Sequence, residues 1–321
     1  MFGISYLYWG IFLGFVFLML AIDLGVFHRN AHAVSTKEAA IWSAVWISLG
    51  LLFSVVIYNF WHTISPGSLY TDKEAALAYL TGYIIEKSLS VDNIFVFVLI
   101  FSYFALPAKY QHRVLYWGIL GALVMRGLLI FTGAALLEQF HWVIYLFGAF
   151  LIFTGWRMAR SHGIEVRPEE NPLVKLVRRF LPVSDAYDGQ KFFTRRQGQR
   201  LATPLLIVLV VIESTDLVFA VDSIPAIFAV TQNPFIVFTS NIFAILGLRS
   251  LYFLLASVID RFYYLKYGLS VILMLVGIKM VIVDIYKVPT AFSLGMVATV
   301  LTLSILASWQ RNRQMAGVFE N

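Results

Sequence analysis

The sequence predicts an all-α, polytopic membrane protein, and three observations carry that reading. Of 321 residues, 60% are hydrophobic and only 13% are charged, about half the charged share of a soluble domain. The mean hydropathy is +0.80, more apolar surface than a soluble fold of this length can hide. The apolar residues also fall into nine runs, each near the ~20 residues a helix needs to cross a bilayer. The same composition excludes disorder, because disordered chains are polar and charged. With no cysteine in the chain, disulfides, thiolate catalysis and thiolate metal sites are excluded as well.

The first run spans about Tyr6 to Phe27. It lacks a basic leader and is too long for a cleaved signal. The others lie near 41–61, 77–101, 113–136, 142–160, 203–229, 235–258, 267–285 and 290–310. With the N-terminus outside, segments 28–40, 102–113, 157–202, 259–266 and 311–321 face the cytoplasm. They hold 18 Lys and Arg, while the outer segments hold only Lys73 and Lys287. That asymmetry predicts nine spans, N-out and C-in, by the positive-inside rule. It also accounts for the net charge of +6 without a nucleic-acid partner. The chain then divides into a first transmembrane half (1–160), a cytoplasmic basic loop (161–202) and a second transmembrane half (203–321). Within the loop, Leu173 to Leu181 alternates apolar and basic residues, the pattern of an interfacial helix.

Two stretches of the chain resemble each other. Glu86-Lys-Ser-Leu-Ser-Val-Asp92-Asn-Ile and Asp216-Leu-Val-Phe-Ala-Val-Asp222-Ser-Ile both place an acid six residues before Val-Asp-[Asn/Ser]-Ile. Leu120-Gly121 before Arg126 echoes Leu246-Gly247 before Arg249, and Gly155-Trp-Arg-Met158 echoes Gly277-Ile-Lys-Met280. The acidic stretches fall on the third and sixth spans, which run in opposite directions. The expectation is an inverted repeat, helices 3–5 against 6–8, a recurring plan of secondary transporters.

Each ionisable side chain inside a span costs about 2.5–3.5 kcal/mol even on the lenient insertion scale. Glu86, Asp92, Glu213, Asp216 and Asp222 sit deep, against the deep bases Arg126 and Arg249. Lys87 and Lys279 also lie on spans. Salt bridging absorbs some of the acids, and the remainder must take up a proton or a cation. All six His fall in loops or at span ends. The deep neutral donors, Asn93, Ser223 and Asn241 among them, are oxygen ligands, which suit hard cations such as Mn²⁺, Mg²⁺ and Ca²⁺. Acids six residues apart lie about 120° apart around a straight helix, so sharing one site requires a break. Pro225 offers a kink in the sixth span, and a break near Ser90 to Asp92 is expected in the third. A regular third helix would instead give two successive sites. Asp23 and Asp284 sit near span ends, where gating competes with plain interfacial placement. P-loop and G-x-S-x-G motifs are absent, so nothing points to an enzyme or an ATP-driven pump.

The two signature stretches, Glu86 to Phe97 and Glu213 to Ala229, resemble those of the TerC family. Thr239 to Arg249 and Phe262 to Lys279 extend the similarity, which is closest to the Alx branch. The resemblance implies a multi-pass protein of the bacterial inner membrane that exports manganese. It places Glu86, Asp92, Glu213, Asp216 and Asp222 among the functional acids. Ser214-Thr215 departs from the family pattern but keeps a hydroxyl.

The expectation is a secondary exporter of divalent cations, most simply Mn²⁺, coupled to protons and holding no permanent cofactor. Glu86, Asp92, Asn93, Glu213, Asp216, Asp222, Ser223 and Asn241 are the expected ligands. Arg126, Arg249, Asp23 and Lys279 are the expected charge-pairing or gating residues. The expected partners are the cation and the lipid bilayer. The alternative is a membrane scaffold or stress-response partner that works through the loop 161–202.

Overall fold

The computed structural model describes residues 4–22, 35–160, 171–184, 186–196, 199–256, 263–286 and 288–319. Among the described residues, helix covers most of each apolar run, with two helices in the run 235–258. α1 (Tyr6–Ile22), α2 (Thr36–Ile64), α3 (Asp72–Tyr103), α4 (Ala108–Gln139) and α5 (Val143–Arg160) precede the loop. α6 (Pro172–Phe180) and the strands β1 (Phe193–Arg196) and β2 (Gln199–Ala202) lie within it. α7 (Pro204–Phe228), α8 (Pro234–Leu246), α9 (Leu248–Leu255), α10 (Leu265–Val281) and α11 (Thr290–Phe319) follow. Among the described residues, five helices are long and apolar enough to cross a membrane, namely α2, α4, α5, α7 and α11. A sixth qualifies if α8 and α9 form one span bent by 41°. α1 is apolar but has 17 residues, and α3 carries Glu86, Lys87 and Asp92 in its middle. The chain is thus a polytopic, all-α membrane protein.

Local chemistry sets the helix starts. Thr71 and Glu74 form a reciprocal capping box on α3, and the two hydrogen bonds from Thr71 hold the Glu74 carboxyl below its ordinary pKa. Asn171 and Asn233 cap α6 and α8, each followed by Pro at the first turn, where the missing N–H costs nothing.

Two expectations are corrected here. α3 is unbroken across Ser90 and Asp92. The hydroxyls of Ser88 and Ser90 donate to the carbonyls of Ile84 (2.6 Å) and Glu86 (2.8 Å) within the same helix. α7 likewise runs as one helix with Pro225 in its last turn. The bend falls instead at Gly247. The hairpin β1–β2 was also not expected in a segment read as loop plus one helix. It pairs antiparallel in the register Phe193↔Ala202 to Arg196↔Gln199.

The helix pairings follow a pattern. α5 packs on α10 with Gly148 against Gly277 and Gly155 against Ser270, so these two run antiparallel with backbones in close approach. Small residues at such crossings are the usual means of packing helices in lipid. α4 lies parallel to α7, with Gly118 beside Ile212 and Gly133 beside Phe228. α3 lies parallel to α8, with Gly82 beside Ser240 and Lys87 reaching Ala244. α3 and α7 meet antiparallel, since Gly82 faces Ile227 while their other ends share one apolar cluster. Interchanging α3 with α7, α4 with α8–α9 and α5 with α10 maps these contacts onto one another.

The loop segment is docked, not free. Val174 of α6 is buried among side chains of α3, α4 and α7. Asn171 Nδ2 donates to Ser214 Oγ at 2.7 Å. Tyr187 donates its hydroxyl to the Phe104 carbonyl at 2.8 Å, and its burial raises the phenol pKa. α6 keeps Leu173, Leu176 and Phe180 exposed beside Arg178 and Arg179.

Candidate functional site

The centre of the molecule is one arginine. Arg126, on α4, is 1% exposed. Its Nε and Nη2 donate to Oδ2 and Oδ1 of Asp216 at 3.0 and 2.9 Å, a bidentate pair with α7. Its Nη1 donates to Glu86 Oε1 on α3. The same nitrogen lies 3.4 Å from Asn241 Oδ1 on α8 and 3.5 Å from Ser223 Oγ on α7. Glu86, Asp216, Ser223 and Asn241 are all buried. Four helices, two from each half, therefore converge on one guanidinium. Two carboxylates against one cation leave the cluster with an excess negative charge. The second Glu86 oxygen and the Asn241 amide nitrogen are buried without hydrogen-bond partners, an expensive arrangement unless a ligand or water satisfies them.

The other predicted site residues stand apart from this cluster. Glu213 packs over Gly121 of α4, and its Oε2 is buried without a partner. Asp222 is half-buried and accepts from Thr154 Oγ1 of α5 at 3.3 Å. Asn93 is buried on α3 with an unpartnered Oδ1. Arg249 meets His112 Nε2 at 3.0 Å. Lys279, expected as a charge-pairing or gating residue, donates to Ser293 Oγ of α11 at 2.9 Å. Asp23 lies outside the described residues, and so does the side chain of Asp92. Asp284 accepts from Tyr145 (2.5 Å) and contacts His141 (2.9 Å) at an exposed helix end.

Of the eight expected ligands, the structure brings Glu86, Asp216, Ser223 and Asn241 to Arg126 and leaves Asn93, Glu213 and Asp222 apart, in line with successive sites. Among the described residues, no three His, Cys, Asp or Glu side chains come together around one point. The unbroken α3 and α7 are the reason, since acids six residues apart on a regular helix face different neighbours. Sequence reasoning missed Thr154 and His112. Thr154 carried no signal, and His112 was set aside as lying at a span end.

Comparison with known proteins assigns the chain to a family. The model for the integral membrane protein TerC family matches residues 71–316. The chain belongs to the TerC family. Over 305 residues it is 54% identical to an uncharacterized membrane protein of Myxococcus xanthus, covering 95% of this chain and 92% of that one. It is 52% identical over 309 residues to the "Putative membrane-bound redox modulator Alx" of Escherichia coli K12, covering 96% of both chains. A protein of the same name from Photorhabdus laumondii is 46% identical over 313 residues, covering 97% of each. No solved structure matches the chain. The matched span contains every acid of the candidate site and all four helices around Arg126.

Proposed function

We propose that this TerC-family protein is a secondary transporter that exports divalent cations, Mn²⁺ foremost, across the bacterial inner membrane in exchange for protons. In this reading the chain crosses nine times, N-out and C-in, and its halves are inverted repeats that meet at Arg126. The observation that carries the reading is the buried arginine holding one carboxylate from each half, with further acids one or two turns away on α7. A guanidinium so placed is an internal counter-cation. A metal ion entering between Glu86 and Asp216 must displace it, and its return expels the metal.

The donor chemistry supports a hard cation. Glu86, Asp216, Asn241 and Ser223 offer oxygen ligands only. Two carboxylates with neutral oxygens would leave the ion several waters, as Mg²⁺-like ions prefer. Such a site binds weakly enough to release. Asp222, with Thr154, forms a second station along α7, and Glu213 a titratable carboxylate between the halves. The basic loop 161–202 on one side supports the orientation, and the bacterial relatives support the inner membrane. Function as a scaffold through the loop is the weaker reading, because the described loop is strapped to the bundle by Asn171 and Tyr187. Thiol redox chemistry is not open to a chain without cysteine.

The test is Mn²⁺ flux into proteoliposomes with an internal pH dye. Wild type should move Mn²⁺ with proton counterflow, and Asp92→Asn and Asp222→Asn should abolish both. Well-inserted protein that moves no Mn²⁺ would refute the reading.

A further inference from the structure

Two consecutive helices meet at a bend inside the bundle. α8 stops at Leu246, α9 starts at Leu248, and their axes differ by 41°. Every residue of α8 is buried, so the carbonyls at its C-terminus have neither helical N–H nor water to meet them. Lys87, on α3, supplies what is missing. Its Nζ donates to the Ala244 carbonyl at 3.2 Å. A Cβ on Gly247 would lie 2.7 Å from that nitrogen and 3.0 Å from Trp46 Cβ. The ammonium therefore sits directly over the break, at the negative end of the α8 dipole where a cation is favoured.

The other half of the molecule offers a natural comparison. One interval of 126 residues carries Gly121 onto Gly247 and Lys87 onto Glu213. In each half the charged side chain covers the glycine. Yet α4 runs unbroken through Gly121. A carboxylate only accepts hydrogen bonds, so it cannot cap freed carbonyls, whereas an ammonium can. The break thus occurs in the half that has the lysine. This interval differs by four residues, about one helical turn, from the spacing between Glu86 and Asp216. The residues that match in the acidic motif are consequently not the ones that match in space.

The bend also sets two polar groups. Asn241 lies before it and reaches Arg126. Arg249 lies just after it and reaches His112. Behind the bend, Leu251 and Leu255 of α9 line a cavity of about 370 Å³ together with Tyr83 and Lys87, which leaves α9 room to shift.

We propose that Lys87 is a positioning residue of the ion path: it caps the mid-membrane break and holds α8 and α9 at the angle that presents Asn241 to Arg126 and Arg249 to His112. The functional part rests on the transporter reading, whereas the capping does not. The test pairs amide hydrogen exchange in lipid nanodiscs with Mn²⁺ flux, on wild type, Lys87→Met and Lys87→Arg. Exchange at amides 245–251 should rise about tenfold in Lys87→Met, stay unchanged at 118–124, and return toward wild type in Lys87→Arg, which keeps a donor. Flux should fall in Lys87→Met with KM raised, because the bend positions Asn241, one of the oxygen ligands, and both should return toward wild type in Lys87→Arg. If Lys87→Met fails to insert, Gly247→Ala, which displaces the ammonium, should give the same exchange signature. Unchanged exchange at 245–251 in the inserted variant overturns the proposal. A wild type without Mn²⁺ flux would remove the transporter reading and leave the exchange result to stand on its own.

Discussion

Asp216 and Asp222 share one helix and one chemistry, yet the fold treats them differently. Asp216 is buried and gripped by two nitrogens of Arg126. Asp222, under two turns further on, is half-buried and receives one hydroxyl from Thr154. The first is committed to an internal ion pair that ties the two halves together. The second meets a single hydroxyl at hydrogen-bond range instead. The difference teaches that position along a membrane helix does not define a site. What the opposite helix presents does.

The comparison can be broken most severely at its centre. Arg126→Ala leaves Glu86 and Asp216 buried without their cation. It should cost about 3–5 kcal/mol, the usual penalty for removing one partner of a buried pair. Thermal unfolding in detergent should show it as the largest loss of any single variant, with Arg126→Lys recovering part. Asp216→Asn removes one carboxylate but leaves Arg126 its bond to Glu86. About 1.5–3 kcal/mol is expected, the value of hydrogen bonds to a charged group, read on the same unfolding curves. A third grip on α7 comes from Asn171, which both bonds Ser214 and caps α6. Asn171→Ala should cost about 1 kcal/mol and raise amide exchange over 172–180 while leaving α7 protected. Smallest of all, Asp222→Asn should change stability by no more than about 0.5–1 kcal/mol, because the amide oxygen still accepts from Thr154 and the position is only half-buried.

Much of this arrangement was legible in the sequence. Composition and periodicity located nine helical segments, and charged residues inside apolar runs singled out Glu86, Asp216 and Arg126, which do meet. The repeat echo of Gly155 and Gly277 marks the actual α5–α10 contact. Less legible was which acid faces which helix. That depends on the rotation of α3 and α7 about their axes, and hydropathy is nearly uniform around a helix whose outer face also carries apolar residues such as Val218 and Leu99. The bend was misplaced for a related reason. Pro225 is a helix breaker by type, but in the last turn of α7 it removes one N–H from the ladder only three residues before the helix ends. The bend came from Gly247 with a lysine supplied by another helix, a pairing between distant positions that no local pattern reveals. The β1–β2 hairpin and the docking of α6 were hidden because segments rich in Arg and Pro read as solvated loop.

The most direct test of the whole account compares Asp222→Asn with wild type in one preparation, measuring unfolding temperature and Mn²⁺ flux with proton counterflow. The account predicts a protein as stable as wild type to within a few degrees, with flux and counterflow lost together. Wild-type flux through Asp222→Asn would contradict it, because the half-buried acid on α7 would then have no part in moving the ion.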